Sequence, residues 1–195
     1  MWARAAASVL ILSACSGAEP SAPEALYFER LSALCNGEAY GGKLVSTEEV
    51  DADFRSADMR MGPATCEGNT ILIPFAVDDD RSRTWVITRT LDGVRLKHDH
   101  RHRDGTEDVV TQYGGDSDGT GSVAAQDFPA DDETKDLFIR EGLEVSTANT
   151  WRVEIEPGAQ FTYQMSRPER LFRVEFDLTN AVDAPPPTWG AAPIE

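Results

Sequence analysis

The chain has 195 residues, 41% of them hydrophobic and 27% charged, which suits one folded domain and not a disordered protein. Its 18 basic and 34 acidic residues give a formal net charge of -16 at pH 7. Because such a surplus of negative charge repels phosphate, we expect no nucleic-acid partner. The only long uncharged apolar stretch, residues 5–14, has about half of the roughly 20 residues that a membrane-spanning helix needs.

The first fifteen residues predict a location. A short basic start and the apolar stretch are followed by Leu12-Ser13-Ala14-Cys15. This pattern resembles the type II signal peptide of bacterial lipoproteins, which implies that residues 1–14 are removed and that Cys15 is lipidated. The alternative is an ordinary secretory peptide in which Cys15 is incidental.

The resemblance also predicts how the protein is attached to the cell envelope. Residues 1–14 contain Arg4 as their one charge, so the mature chain has 17 basic and 34 acidic residues and a net charge of -17. An anionic bilayer surface repels such a protein, so the lipid must provide the attachment. No Asp follows Cys15, and this resembles lipoproteins sorted to the outer membrane. We therefore expect residues 15–22 to tether a periplasmic domain to the outer membrane.

Two further cysteines predict a disulfide. With Cys15 acylated, Cys35 and Cys66 are left as a pair, and an oxidising periplasm favours a bridge between them. A catalytic thiol or a metal-binding pair is the alternative, but neither cysteine has a flanking motif that indicates one.

The first elements of the domain are one helix and a set of strands. Tyr27, Leu31 and Leu34 recur at helical spacing until Asn36-Gly37 ends the helix. Alternating strand patterns then cover residues 71–77, 84–91, 94–102 and 106–113, with shorter candidates at 43–46 and 57–61. Asp92-Gly93 and Asp104-Gly105 predict two-residue hairpin turns between the last three long strands.

The second half of the chain repeats this organisation. A helix is predicted from Asp131 to Arg140, with Gly142 as its stop, and three alternating strands follow over residues 151–178. We therefore predict one mainly β domain over residues 23–180, an antiparallel meander that forms a curled sheet or a small barrel. Residues 181–195 contain three consecutive prolines and are predicted to be a disordered tail.

All three histidines fall on one predicted strand at a spacing of two, which places His98, His100 and His102 on one face. Pairing through the two turns sets Ile87 opposite His98, Trp85 opposite His100 and Glu107 opposite His102. The same pairing sets Arg101 opposite Asp108. The histidines therefore share the more apolar face and run out to its rim.

This pattern suggests a metal site. His98 and His102 lie about 13 Å apart along a strand, too far to share one tetrahedral ion. The best set is His100, His102 and Glu107, with His98 as an alternate ligand. Such a set would hold zinc or another divalent metal and leave a position open for a bound water, as in a metal-dependent hydrolase. The alternative is that the histidines form hydrogen bonds within the sheet or act as a pH-responsive group or base.

Three hypotheses of function follow. The body of the chain resembles the uncharacterised small secreted or lipoprotein β-domains of Gram-negative bacteria, and the leading hypothesis is a non-enzymatic module that binds an envelope protein or a small ligand. The second is the metalloprotein. The third is a barrel that carries an apolar small ligand among five aromatic side chains: Trp85, Trp151, Phe161, Tyr163 and Phe172.

Overall fold

A computed structural model describes residues 22–191 of the chain. The predicted signal peptide and Cys15 lie outside the described residues. Two α-helices are described, α1 (Ala22–Leu31) and α2 (Asp132–Arg140). Three 3-10 helices span Ser32–Leu34, Glu49–Arg55 and Glu144–Ala148. The strands are β1 (Ala39–Leu44), β2 (Met59–Met61), β3 (Thr65–Glu67), β4 (Thr70–Val77), β5 (Asp80–Arg89), β6 (Val94–His100), β7 (Tyr113–Asp116), β8 (Ala125–Pro129), β9 (Thr150–Glu156), β10 (Gln160–Arg167) and β11 (Arg170–Val182).

The strands form one antiparallel sheet that curls into a nearly closed barrel with one seam. Their order is β7-β6-β5-β4-β2-β1-β11-β10-β9-β8, and β3 pairs with β4 beside this path. Most neighbours are consecutive in the chain, and short turns join four of these pairs, from β4 to β6 and from β9 to β11. The pairing of β1 with β11 joins the two halves of the sheet. The mainly β, antiparallel prediction is confirmed. The candidates at 43–46 and 57–61 correspond to β1 and β2, which begin at Ala39 and Met59.

The seam lies between β7 and β8, where the chain beyond β8 bonds to β7. The carbonyl of Gly114 accepts hydrogen bonds from the backbone N–H of Asp131 at 3.0 Å and from the hydroxyl of Thr134 at 2.9 Å. A Cβ on Gly115 would lie 1.8 Å from the carbonyl oxygen of Pro129. Only glycine therefore allows the two edges to approach this closely.

Helix α1 covers one end of the barrel. Tyr27 and Leu31 are fully buried in the core, and the Tyr27 hydroxyl donates to the carbonyl of Val153 on β9. The Glu24 carboxylate accepts from the Ser117 hydroxyl just after β7. This end of the barrel is therefore filled by side chains, as is usual in small barrels.

The disulfide prediction is confirmed. Cys35 follows the 3-10 turn after α1, and its sulfur is bonded to that of Cys66 in the middle of β3. The Cα atoms are 5.9 Å apart, within the usual range for a bridged pair. The bridge fixes the end of the helical segment to the sheet.

The second helix also begins and ends as expected. Asp131 caps α2, because its carboxylate accepts from the backbone N–H of Thr134 at 2.8 Å, and Gly142 follows the end of the helix in a left-handed conformation. Phe138 and Thr134 are the buried residues of α2, and they hold the helix against the barrel.

The first histidine hairpin has a different register from the one expected. The turn after β5 is a four-residue connection rather than a two-residue one, with the last pair at Arg89 and Val94. Trp85 therefore lies opposite His98, instead of opposite His100 as the sequence suggested, and Arg83 lies opposite His100. Because the shift is two residues, His98 and His100 still face the interior.

The strand expected at 106–113 is mostly an irregular loop. Glu107 forms an isolated bridge with Arg101, and regular pairing resumes only where Tyr113 meets His98. Between these two pairs lie five residues on this side, 108–112, but only two on β6, 99 and 100. The extra residues, which include Val110, bulge away from the ladder. The expected pair of Arg101 and Asp108 is replaced by a salt bridge from Arg101 to Glu107 at 3.1 Å.

Residues 181–191, which the sequence predicts to be part of a disordered tail, make defined contacts with the sheet. Strand β11 continues to Val182, and the backbone N–H of Trp189 donates to the carbonyl of Arg81. The Arg103 guanidinium lies 5.5 Å from the centre of the Trp189 ring. This cation–π contact helps the proline-rich segment to lie along the outside of the sheet.

Candidate functional site

A cavity of about 360 Å³ opens at the end of the barrel that α1 leaves uncovered. Eight of its eighteen lining residues are Phe, Tyr or Trp, and none belongs to α1. The volume falls in the range of about 300–1,000 Å³ that is usual for small-molecule sites. The composition favours a ligand with an apolar or aromatic body.

The cavity exists because the inward-facing side chains change from apolar to polar along each strand. On β10 the inward residues run from Phe161, which is fully buried, through Tyr163 to Arg167 at the opening. On β6 they run from the fully buried Leu96 to His100 at the opening. Burying these polar groups without partners would cost free energy, so they lie at the open end rather than in the packed core.

Stacked aromatic rings form one wall. The indole of Trp85 lies between Phe75, with ring centres 4.7 Å apart, and Tyr163, with ring centres 4.5 Å apart, and both pairs are nearly parallel. Trp85 is 2% exposed, so its neighbours hold it rigidly. Both faces of the indole are covered by protein rings, so this wall is rigid before any ligand enters.

The aromatic residues that the sequence suggested for a ligand lie in this region. Trp85, Trp151, Tyr163 and Phe172 line the cavity. Phe161 does not, because it is fully buried beneath Trp85, with ring centres 5.8 Å apart.

His98 is the centre of a buried hydrogen-bond network. Its Nδ1 lies 3.0 Å from the carbonyl oxygen of Tyr113, which can only accept, so this nitrogen carries the proton. Its Nε2 then accepts from the hydroxyl of Tyr163 at 2.8 Å. Burial lowers the pKa of His98 to about 3, so the ring is neutral at pH 7.

His100 continues this network to the cavity opening. Its Nε2 lies 3.0 Å from the hydroxyl of Tyr113. Burial lowers the pKa of His100 to about 4, with a further lowering by the Arg83 charge and an opposing effect of the Asp108 carboxylate. Both imidazoles are therefore uncharged at neutral pH.

Charged groups lie only around the opening. Arg83 and Arg167 line it, together with one carboxylate, that of Asp108. Arg83 forms a salt bridge with Asp80 at 2.7 Å. Arg167 donates to the amide oxygen of Asn149 at 3.0 Å, and among residues 22–191 no carboxylate lies within 4.0 Å of its guanidinium.

The residues suggested for a metal site are spread out from this opening. His100 lines the cavity, whereas the His102 side chain is 56% exposed, with its Nδ1 3.8 Å from the Asp108 carboxylate. Glu107 is bonded to Arg101 instead. Over the described part of the chain, no group of three or more His, Cys, Asp or Glu side chains is placed to hold a metal ion. The zinc site remains a prediction that requires Glu107 to leave Arg101.

Sequence reasoning missed the polar residues that complete the opening. Asn149 and Ser146 come from the segment between α2 and β9, and Arg167 comes from the end of β10. No spacing in the chain links these positions. One signal was available for Arg167, because it continues the inward alternation of Phe161, Tyr163 and Met165, where a charged residue is unusual.

No known protein family, curated protein or solved structure matches this chain. Between residues 22 and 191, no helix is long and apolar enough to cross a membrane.

Proposed function

We propose that this chain is a lipid-anchored binding protein of the cell envelope, which holds a small ligand with an aromatic or apolar body in the open end of its barrel. The cavity carries this proposal. It is a concave site of about 360 Å³ whose walls are mainly aromatic and whose polar groups converge at one end.

The hydrogen-bond network supports binding by a preformed site. His98 and Tyr163 satisfy each other, and the rings of His98 and Tyr113 are stacked with centres 4.5 Å apart. Because these side chains are already fixed, a ligand entering the cavity does not need to order them. The groups left for the ligand are those at the opening, including Asn149 and Arg167.

The proposed location depends on the first fifteen residues. Leu12-Ser13-Ala14-Cys15 resembles a lipoprotein cleavage site, and the disulfide between Cys35 and Cys66 suits an oxidising compartment. A lipid on Cys15 would place the barrel at the periplasmic face of the outer membrane, where it would meet small apolar molecules in the envelope.

Binding of a neutral aromatic probe tests the proposal. N-phenyl-1-naphthylamine, which fluoresces in apolar surroundings, is titrated into the purified protein. We expect saturable binding that the substitution Val110→Trp abolishes, because Val110 lines the cavity. The matched control is Val109→Trp in the same loop, where the side chain is 65% exposed and does not line the cavity. Equal binding by the two variants, or no binding by the parent, would overturn the proposal.

A further inference from the structure

The charges at the cavity opening have the opposite balance to the chain as a whole. The chain has almost two acidic residues for each basic one, yet the opening has two arginines and one carboxylate. The Asp108 carboxylate accepts from the backbone N–H of Val110 and lies 3.8 Å from His102 Nδ1, so it already has partners.

The two arginines differ in what they have left to bind. The charge of Arg83 is balanced by Asp80 at 2.7 Å. Arg167 is half-buried at the opening, and its described hydrogen-bond partners are two neutral groups, the Asn149 amide oxygen at 3.0 Å and the Met165 sulfur at 3.9 Å. A guanidinium has five N–H donors in a planar fork that matches a carboxylate or similar anion, so most of its donors are available to a ligand.

Asn149 holds this guanidinium in place. Asn149 is 7% exposed and lines the cavity. Its backbone forms hydrogen bonds with Ser146 and Ala130, which fix its position. An arginine that is held before the ligand arrives loses less side-chain entropy on binding.

We propose that the ligand is a small amphiphile with one anionic group, of the carboxylate or sulfonate type, which Arg167 binds while the aromatic walls enclose the apolar body. This inference rests on the proposed function and names the chemical class of its ligand. The negative charge of the rest of the protein does not prevent such binding, because salt screens charges beyond about 8 Å at physiological ionic strength.

Two probes with one aromatic skeleton test the inference. 1-Anilinonaphthalene-8-sulfonate differs from N-phenyl-1-naphthylamine by its sulfonate group, so their affinities isolate the contribution of the anion. We expect the sulfonate probe to bind the parent more tightly and to lose about tenfold in affinity on Arg167→Gln, the effect expected for a charge-assisted bidentate contact. The affinity for the neutral probe is expected to stay within about twofold.

Arg89→Gln is the matched control. It makes the same change in net charge at the far end of β5, where Arg89 also has no carboxylate within 4.0 Å among residues 22–191 and does not line the cavity. Arg167→Lys keeps the charge but removes the fork, and we expect it to restore only part of the affinity.

The outcomes separate the two proposals. In the first outcome, the parent binds the neutral probe and Val110→Trp abolishes that binding, but the sulfonate probe binds no more tightly than the neutral one or is unaffected by Arg167→Gln. This outcome would overturn the anionic class of ligand and leave the binding function intact. An equal loss of sulfonate affinity in Arg89→Gln would also overturn it, since the effect would then come from net charge. No cavity-dependent binding of either probe would overturn both proposals.

Discussion

Acidification from pH 7 to pH 5 should destabilise this protein through the two buried histidines of the cavity. Burial lowers the pKa of His98 to about 3 and that of His100 to about 4, from 6.5 in an exposed imidazole. A base whose pKa is lowered by folding binds more protons in the unfolded state, so stability falls as the pH drops below 6.5. The loss continues to about pH 4 for His100 and about pH 3 for His98.

The magnitude follows from the difference in proton binding. At pH 5 an unfolded imidazole with a pKa of 6.5 is about 97% protonated, while folded His100 is about 10% protonated and folded His98 less. Between pH 7 and pH 5, each side chain therefore reduces the free energy of unfolding by about 2 kcal/mol, and the two together by roughly 4 kcal/mol. The same calculation gives a change of only about 0.3 kcal/mol between pH 8 and pH 7, which serves as an internal reference.

Three carboxylates whose pKa is lowered by folding have little effect between pH 7 and pH 5. Salt bridges and hydrogen bonds lower the pKa of Asp80, Asp131 and Glu154 in the folded protein, although burial opposes them. For an acid with a lowered pKa, stability is present above the unfolded value and is lost only as the pH falls below it. The pKa values in the unfolded state are 3.8 for Asp and 4.5 for Glu, so most of this loss occurs below pH 5.

Urea unfolding at pH 8, 7 and 5 and constant ionic strength measures the effect. His100→Gln keeps a side-chain acceptor for the Tyr113 hydroxyl but removes one titrating group, so its loss between pH 7 and pH 5 should fall to about 2 kcal/mol. A loss of less than about 1 kcal/mol in the parent, or a full loss retained in His100→Gln, would show that these rings are not buried in the neutral form.

Two further predictions concern the cysteines. Replacing Cys35 and Cys66 by serine should lower the free energy of unfolding by roughly 3 to 4 kcal/mol, because the bridge closes a loop with a sequence separation of 31. Urea unfolding of the two forms at pH 7 measures this difference, and an unchanged midpoint would contradict the prediction. If Cys15 is the lipidated residue, the parent should incorporate radiolabelled palmitate in cells and Cys15→Ser should not, whereas labelling that persists in the variant would exclude this anchor.

The sequence predicts the parts of this fold that depend on local pattern. Alternation identifies the long strands because one face of each is buried in the barrel, as in Trp151, Val153 and Ile155 on β9. The start of α2 follows from a single capping carboxylate on Asp131. The bridge of Cys35 to Cys66 is predicted by taking Cys15 as the lipidated residue, which leaves one pair.

The details of the histidine strand depend on loop lengths, which pattern does not fix. Asp92-Gly93 favours a two-residue turn, but a four-residue connection places Arg83 opposite His100 and brings an arginine to the cavity opening. The extra residues between Glu107 and Tyr113 likewise replace a predicted strand with a loop that brings Asp108 to the same opening. Each change in loop length places a different charged side chain at the opening, and together they determine which residues line the cavity.

A cavity of this kind forms where polar residues replace apolar ones along the inward face of a strand. Such a change can be found in the sequence once the strands are known. Inward positions on β5 run from Ile87 and Trp85 to Arg83, and those on β10 run from Phe161 to Arg167. A charged residue at the end of an otherwise apolar row cannot be buried without a partner, so it marks the end at which the barrel stays open. Two such rows end at the same rim of this barrel. Under the proposed binding function, the last apolar residues of each row would enclose the body of the ligand, and the charged residues at the rim would meet its polar group.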